Sequence, residues 1–213
     1  MSETEKTPYV ITVGRTLGAG GRAVGRELAR RLGIGYYDKE LLMGAAGLAG
    51  MDRGLFEKND ERAPGFLAGV VPTTMGYSPL AWYAGPGGAG GESVYRAQAD
   101  FIRHLARTES CVIVGRTADY ILRDFPRVLN VFLHAPDEAC VARITARDPS
   151  QTPEKARQLL RKTNRLRAEF YNFYTDRTWG AAPTYHLCLD SSLLGTDGTV
   201  DTIIEFLNKF LKK

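Results

Sequence analysis

Apolar residues along the chain alternate between two rhythms. Short apolar or β-branched runs at residues 9–13, 35–37, 111–114, 128–134 and 185–189 predict strands. Between them the apolar positions recur every three or four residues, the helical period. Val24, Leu28 and Leu32 share one face of a helix predicted over residues 22–32, with Gly33 as its stop. Residues 93–108 carry a stripe of Val94, Ala97, Phe101, Ile102 and Leu105. Pro136 opens a helix over 136–147, where Asp137 and Glu138 suit the positive end of the helix dipole. Thr152 and Pro153 begin a long basic and aromatic helix, and 199–211 close the chain on Val200, Ile203, Ile204, Leu207 and Leu211. The run 111–114 is apolar at every position, the pattern of a strand buried on both faces.

Strands alternating with helices predict a single α/β domain over residues 1–213, built on a mostly parallel sheet covered on both sides. Ligands of such sheets bind beyond the carboxyl ends of the strands. Three polar clusters fall there: Gly18 to Arg22, Asp38, and Arg116 to Asp119. Residues 44–91 break the rhythm and are dominated by Gly, Ala and Pro, most densely in Ala84-Gly-Pro-Gly-Gly-Ala-Gly-Gly91. This Gly-rich insertion suits either a surface linker or a segment that closes over substrate.

Composition narrows the picture. Hydrophobic residues make up 44 % of the 213, enough for a sizeable core. No apolar run approaches the roughly 20 residues that span a bilayer, and the first ten residues lack an apolar signal stretch. The expectation is a cytoplasmic protein that does not enter membranes. Cys111, Cys140 and Cys188 are too scattered for a zinc site or a disulfide framework and are expected as core filler. His104, His134 and His186 show no metal spacing either, so the sequence names no metal ligand. A net charge of +4 suits an anionic small molecule. Nucleic-acid binding through the basic helix around residues 155–167 rests on charge alone and is disfavoured.

The sharpest chemistry lies in residues 11–38. A strand, a glycine-rich turn and a helix N-terminus together make an anion site, because unpaired N–H groups point inward and the dipole favours negative charge. Gly18, Ala19, Gly20, Gly21, Arg22 and Ala23 are the expected phosphate-binding residues. The loop departs from the pattern G-x-x-x-x-G-K-[ST]. Ending that pattern on Gly20 places Arg15 at its first glycine, Gly21 at its lysine and Arg22 at its hydroxyl. The fork of Arg22 can supply the lysine's charge, but an arginine cannot supply a metal ligand.

Several blocks in order resemble the cytidylate kinase-like family, within the nucleoside monophosphate kinase superfamily. They are Gly18-Ala-Gly-Gly-Arg-Ala-Val-Gly25, Tyr36-Tyr-Asp-Lys-Glu-Leu-Leu42, Val112-Ile-Val-Gly-Arg-Thr-Ala-Asp-Tyr-Ile-Leu122, the stretch 171–179, and Leu189-Asp-Ser-Ser-Leu-Leu-Gly195. The resemblance implies a P-loop NTPase-type parallel sheet flanked by helices, with a lid-like helical segment around 150–180. It implies a kinase moving the γ-phosphoryl group of ATP, with Mg²⁺, to a pyrimidine nucleoside monophosphate such as CMP. Asp38 matches the acid on the acceptor side, Arg116 the arginine that contacts the acceptor, and Asp119 is the nearby acid. Residue 117 is Thr where the family's Gly-Arg-Asp motif has its acid. The lid arginines match Arg161, Arg165 and Arg167, with Asn164 where an aspartate is expected.

Helix geometry divides those arginines. At about 100° per residue, Arg161 and Arg165 share a face while Arg167 lies roughly 160° round from Arg165. Either the helix bends, or Arg161 and Arg165 work in catalysis and Arg167 pairs elsewhere; the second reading is preferred. Leu159, Thr163, Leu166, Phe170 and Phe173 make the expected packing stripe. Tyr171, Tyr174 and Trp179 suit base stacking or packing. Asp190, Ser191 and Ser192 fall where the donor base can lie. A nucleotide-binding module without turnover stands as the alternative, since residues 111–114 include no acid.

Overall fold

The computed structural model describes residues 7–38 and 91–212. Five strands form one sheet, every pair parallel: β1 (Val10–Arg15), β2 (Gly35–Tyr37), β3 (Cys111–Val114), β4 (Val128–His134) and β5 (Leu187–Asp190), in the order β2-β3-β1-β4-β5. Among the described residues six α-helices accompany them: α1 (Gly21–Leu32), α2 (Gly91–Thr108), α3 (Ala118–Ile121), α4 (Asp137–Arg147), α5 (Pro153–Thr175) and α6 (Ser191–Phe210).

Side chains alternate across β1 and β3 as the pleat requires. Ile11, Val13, Val112 and Val114 pack with Val24 and Leu28 of α1 and Val200 and Ile203 of α6. Val10, Cys111 and Ile113 pack on the other face with Ile102 and Leu105 of α2 and Ile121 of α3. Two covered faces explain why the middle strands are apolar at nearly every position. A third cluster joins Cys140, Val141 and Ile144 of α4 to Ala156 and Leu160 of α5, and Leu17 in the loop after β1 leans on it. Each fully buried Leu or Ile contributes roughly 1.5–3 kcal/mol, so α4 and α5 form a firm platform beside that loop.

The elements follow the sequence with instructive displacements. β1 runs two residues beyond its predicted end because Gly14 and Arg15 pair with Phe132 and Leu133 of β4. Gly14 serves space rather than turning, since a Cβ there would stand 2.8 Å from the Phe132 ring. β5 begins at Leu187 rather than 185, leaving Tyr185 buried ahead of it. The last helix starts at Ser191, capped by the Asp190 carboxylate, and breaks at Gly195. α2 starts at Gly91, and the rest of the 44–91 insertion lies outside the described residues.

The packing stripe of α5 is shifted from the one predicted. Its buried residues are Ala156, Leu160, Thr163, Tyr171 and Thr175, while Phe173 is 60 % exposed. At about 100° per residue, positions 156, 160, 163, 167 and 171 fall within a sector of about 80°. Arg167 therefore rides on the buried face. All three cysteines are free, Cys111 and Cys140 buried and Cys188 partly so, in keeping with packing roles. Burial pushes the Cys111 thiol up to about 12. Among the described residues no helix is long and apolar enough to cross a membrane.

Candidate active site

The loop between β1 and α1 is held from three directions. Its first amide, that of Thr16, donates to the Leu133 carbonyl at 3.0 Å. The Leu17 amide donates to Oδ1 of Asn164 on α5 at 2.8 Å. The Gly18 carbonyl accepts from Arg143 on α4 at 3.2 Å, and the same guanidinium donates to the hydroxyl and carbonyl of Ser191 at 3.0 and 2.9 Å. The Ser191 hydroxyl in turn lies 2.8 Å from the Ala19 carbonyl. Gly18 and Gly20 turn the chain at φ 79° and 76°. Gly18 also sits against backbone: a Cβ there would stand 2.8 Å from the Cα and carbonyl oxygen of Cys140.

This bracing leaves the N-terminus of α1 open. No side chain caps it, and its first turn holds no acid. The leading N–H groups, from Gly21, Arg22 and Ala23, have no carbonyl within the helix to bond. The dipole adds a partial positive charge. An uncapped helix start of this kind suits phosphate oxygens.

Beyond it, at the carboxyl ends of β1 and β3, a pocket is lined by Arg15, Gly115, Arg116, Thr117, Asp119, Arg167, Tyr171 and Tyr185, among others. Arg15, Arg116, Arg167 and Asp119 thus line one pocket. The turn after β3 is strained: Gly115, Arg116 and Thr117 all lie in the left-handed region, at φ 82°, 66° and 52°. For Arg and Thr that conformation costs about 1–2 kcal/mol each. It persists because its surroundings hold it, as backbone strain at functional sites requires. The Thr117 hydroxyl donates to the Arg116 carbonyl at 2.6 Å, so the Tyr95 hydroxyl, 3.0 Å away, must be the donor to Thr117. Residue 117 thus helps to hold the shape of the turn.

Asp119 is 8 % exposed and accepts a 2.6 Å hydrogen bond from the hydroxyl of Tyr171, itself 4 % exposed. Burial raises the Asp119 pKa, while the Tyr171 hydrogen bond and nearby backbone amides oppose the rise. Burial likewise drives the Tyr171 and Tyr185 phenols upward, with the Asp119 charge adding to both.

Asp38, buried at the end of β2, faces Arg22 Nε at 3.8 Å and Arg26 Nη2 at 3.9 Å, and accepts from the Tyr36 hydroxyl at 3.1 Å. Burial and that carboxylate push the Tyr36 phenol up to about 12. Arg22, expected to replace the loop's lysine, faces Asp38 in the described structure. Its backbone remains at the head of α1.

Of the predicted site residues, the structure places Gly18 to Ala23 in the loop and first turn of α1, Arg116 and Asp119 in the lining of the pocket, and Asp38 opposite Arg22. It does not bring Arg161 or Arg165 there. Arg161 is exposed, and Arg165, 70 % exposed, faces Glu169 at 3.6 Å. Arg167 takes the inward place, lining the pocket and donating to the Arg15 carbonyl at 3.1 Å. The division of arginines between faces was legible, but the inward face was misassigned. Arg15, Arg143, Ser191 and Asn164 were missed as loop partners or pocket residues. Only Arg15 carried a signal, its place six positions ahead of Gly21 in the loop pattern. Tyr174 stacks on Tyr95 with ring centroids 4.0 Å apart, and Trp179 meets Phe132 edge-on at 5.4 Å, which matches the packing reading of these aromatics. Ser191 and Asp190 act as loop brace and helix cap in the described structure.

The strand order with a glycine loop leading from the central strand into α1 defines a P-loop kinase-type fold. The chain belongs to the cytidylate kinase-like family, which it matches over residues 10–193. Among solved structures it is similar to an uncharacterized protein from Eubacterium ventriosum ATCC 27560, with 25% identity, a TM-score of 0.70, and 94% of this chain and 98% of that one covered. The fold is shared with shikimate kinase from Acinetobacter baumannii, solved in complex with shikimate, at 19% identity and TM-score 0.50 over 96% of this chain and 95% of that one. Shikimate kinase from Bacteroides thetaiotaomicron shares it at 15% identity and TM-score 0.53 over 94% and 98%. No curated protein matches the chain.

Proposed function

We propose that the protein is a kinase that transfers the γ-phosphoryl group of ATP to a nucleoside monophosphate, a pyrimidine nucleotide such as CMP being the expected acceptor. The observation that carries this reading is the uncapped N-terminus of α1, against which the Arg15 side chain packs on its way to a pocket that Arg116 and Arg167 also line. Phosphoryl transfer asks little covalent chemistry of a protein. It asks that two anions be aligned and the charge of the moving group be balanced. The first-turn amides of α1 hold donor phosphate oxygens. Arg116 and Arg167, which line the same pocket, offset the repulsion between the two phosphates. Asp38, fixed by Arg22 and Arg26, faces the acceptor side, as its family counterpart does.

Magnesium is expected of such kinases, but the described residues do not fit a protein-held ion. The position of the metal-binding hydroxyl is occupied by Arg22, which lies 3.8 Å from Asp38. Among the described residues no group of three His, Cys, Asp or Glu stands ready for a metal. The second reading, a nucleotide-binding module without turnover, rests on the loop's missing lysine and hydroxyl and on the lack of an acid in residues 111–114.

A coupled ADP-release assay with ATP, magnesium and a panel of nucleoside monophosphates separates the two. The kinase reading expects acceptor-dependent ADP release, highest with CMP or another pyrimidine nucleotide. ATP binding without acceptor-dependent release for any member of the panel would establish the module instead.

A further inference from the structure

We propose that Arg15 delivers the cation that the loop's missing lysine would supply, reaching the donor phosphates from the end of β1 rather than from α1. This rests on reading the loop as a nucleotide-phosphate site. Position 21 is where the P-loop pattern carries its lysine, and here it is glycine. The space over that glycine is filled. A Cβ on Gly21 would stand 2.8 Å from Cγ of Arg15, 2.9 Å from its Cβ and 3.3 Å from its Cδ. The stem of Arg15 thus occupies the route by which any side chain at 21 would leave the helix.

The rest of the side chain continues over a second glycine. A Cβ on Gly115 would overlap Nη1 of Arg15 and lie 3.0 Å from its Cζ. Gly21 and Gly115 therefore form the two sides of a track that the arginine fills, and its guanidinium ends in the pocket it shares with Arg116 and Arg167. The backbone at the start of the track is held by Arg167, which donates to the Arg15 carbonyl. Arg22, the next residue, faces Asp38 at 3.8 Å. The loop has kept its cation and changed its source: a lysine at 21 and an arginine at 15 claim the same volume, so a chain with one has no room for the other. A planar fork also offers two parallel hydrogen bonds to phosphate where an ammonium offers a point charge.

The test measures binding of ATP and of inorganic tripolyphosphate by calorimetry. Arg15→Gln keeps most of the stem over Gly21 and removes the charge, so it is the first variant. Arg15→Ala, Gly21→Lys and the double variant Arg15→Ala/Gly21→Lys follow, each checked for folding by thermal unfolding. Losing a charge-assisted contact weakens binding about 10- to 100-fold, expected for both ligands in Arg15→Gln and Arg15→Ala. Gly21→Lys alone binds poorly because its side chain meets the Arg15 stem, and the double variant recovers affinity. Tripolyphosphate binding to Arg15→Gln at wild-type affinity would overturn the proposal, and so would a Gly21→Lys variant that binds as well as the double. Because binding is read without turnover, the outcomes separate. Arg15-dependent ATP binding with no acceptor-dependent ADP release leaves this assignment standing and removes the kinase reading. Turnover with unaltered binding in Arg15→Gln does the reverse.

Discussion

Replacing Tyr171 by Phe removes one oxygen from a buried contact and leaves the ring in place. The lost bond is the 2.6 Å hydrogen bond to Asp119, between two residues exposed by only 4 % and 8 %. A hydrogen bond to a charged group contributes about 1.5–3 kcal/mol, and a buried acceptor left without its donor forfeits that amount. The cavity contribution is small because only the hydroxyl goes. The loss must depend on pH. Burial raises the pKa of Asp119 in the folded state above its ordinary value of 3.8. A raised folded pKa means that the contribution of this group is fully present below 3.8 and is lost as pH rises through the folded value. The Tyr171 hydroxyl restrains that rise by bonding the carboxylate. Without it the folded pKa climbs further, so the variant falls further behind the wild type as pH increases. Urea unfolding of both proteins from about pH 4 to about pH 8 reads the difference directly. The expected gap is small at the acid end and about 1.5–3 kcal/mol at the neutral end. In an Asp119→Asn background the gap should no longer change with pH. A gap that is flat in the wild-type background, or one that widens toward acid, would refute the assignment of an ionised Asp119 held by Tyr171.

Two further outcomes follow from the loop and the helix beside it. Gly18→Ala introduces a Cβ at φ 79° and 2.8 Å from the Cys140 backbone. With about 1–2 kcal/mol for the left-handed conformation and about 1–3 kcal/mol for overpacking, a loss of roughly 2–5 kcal/mol is expected in urea unfolding. A loss under about 0.5 kcal/mol, the ordinary range of surface changes, would mean the loop is not clamped on α4. Arg167→Ala should weaken ATP binding by about tenfold or more, whereas Arg165→Ala, which removes an exposed pair with Glu169, should change it by less than about threefold. The reverse order would restore the outward arginines to the site.

Much of this fold was legible in the sequence because its strands and helices bury opposite faces on regular periods. The parallel sheet, the glycine loop and the stop at Gly33 follow from local pattern. What was not legible came from contacts between residues distant in sequence. The pairing of β1 with β4 decides that Gly14 and Arg15 are strand rather than loop, and no local signal in Gly14-Arg15 reports Phe132 and Leu133. The α5 stripe was displaced because Leu166, Phe170 and Phe173 look more apolar than Ala156, Thr163 and Arg167. Hydrophobicity alone cannot show that a buried face includes an arginine serving a pocket. The clamp on the loop is subtler still. Asn164, Arg143 and Ser191 act through hydrogen bonds across 172 positions at the widest, and each is an ordinary surface residue type. Arg22 was expected at the phosphates because charge next to a glycine loop suggests it. Asp38, which faces Arg22, was itself a predicted site residue, but the pairing of the two was not predicted.

The central claim is that the N-terminus of α1, with Gly18 to Ala23 around it, holds the phosphates of a nucleotide. The most direct measurement is an amide NMR titration of the full chain with ATP, with adenosine as the control ligand. The account predicts that ATP moves the amide resonances of Gly20, Gly21, Arg22 and Ala23 most strongly and that adenosine leaves them in place. Saturable ATP binding that leaves these four amides unshifted, or equal shifts with adenosine, would contradict it.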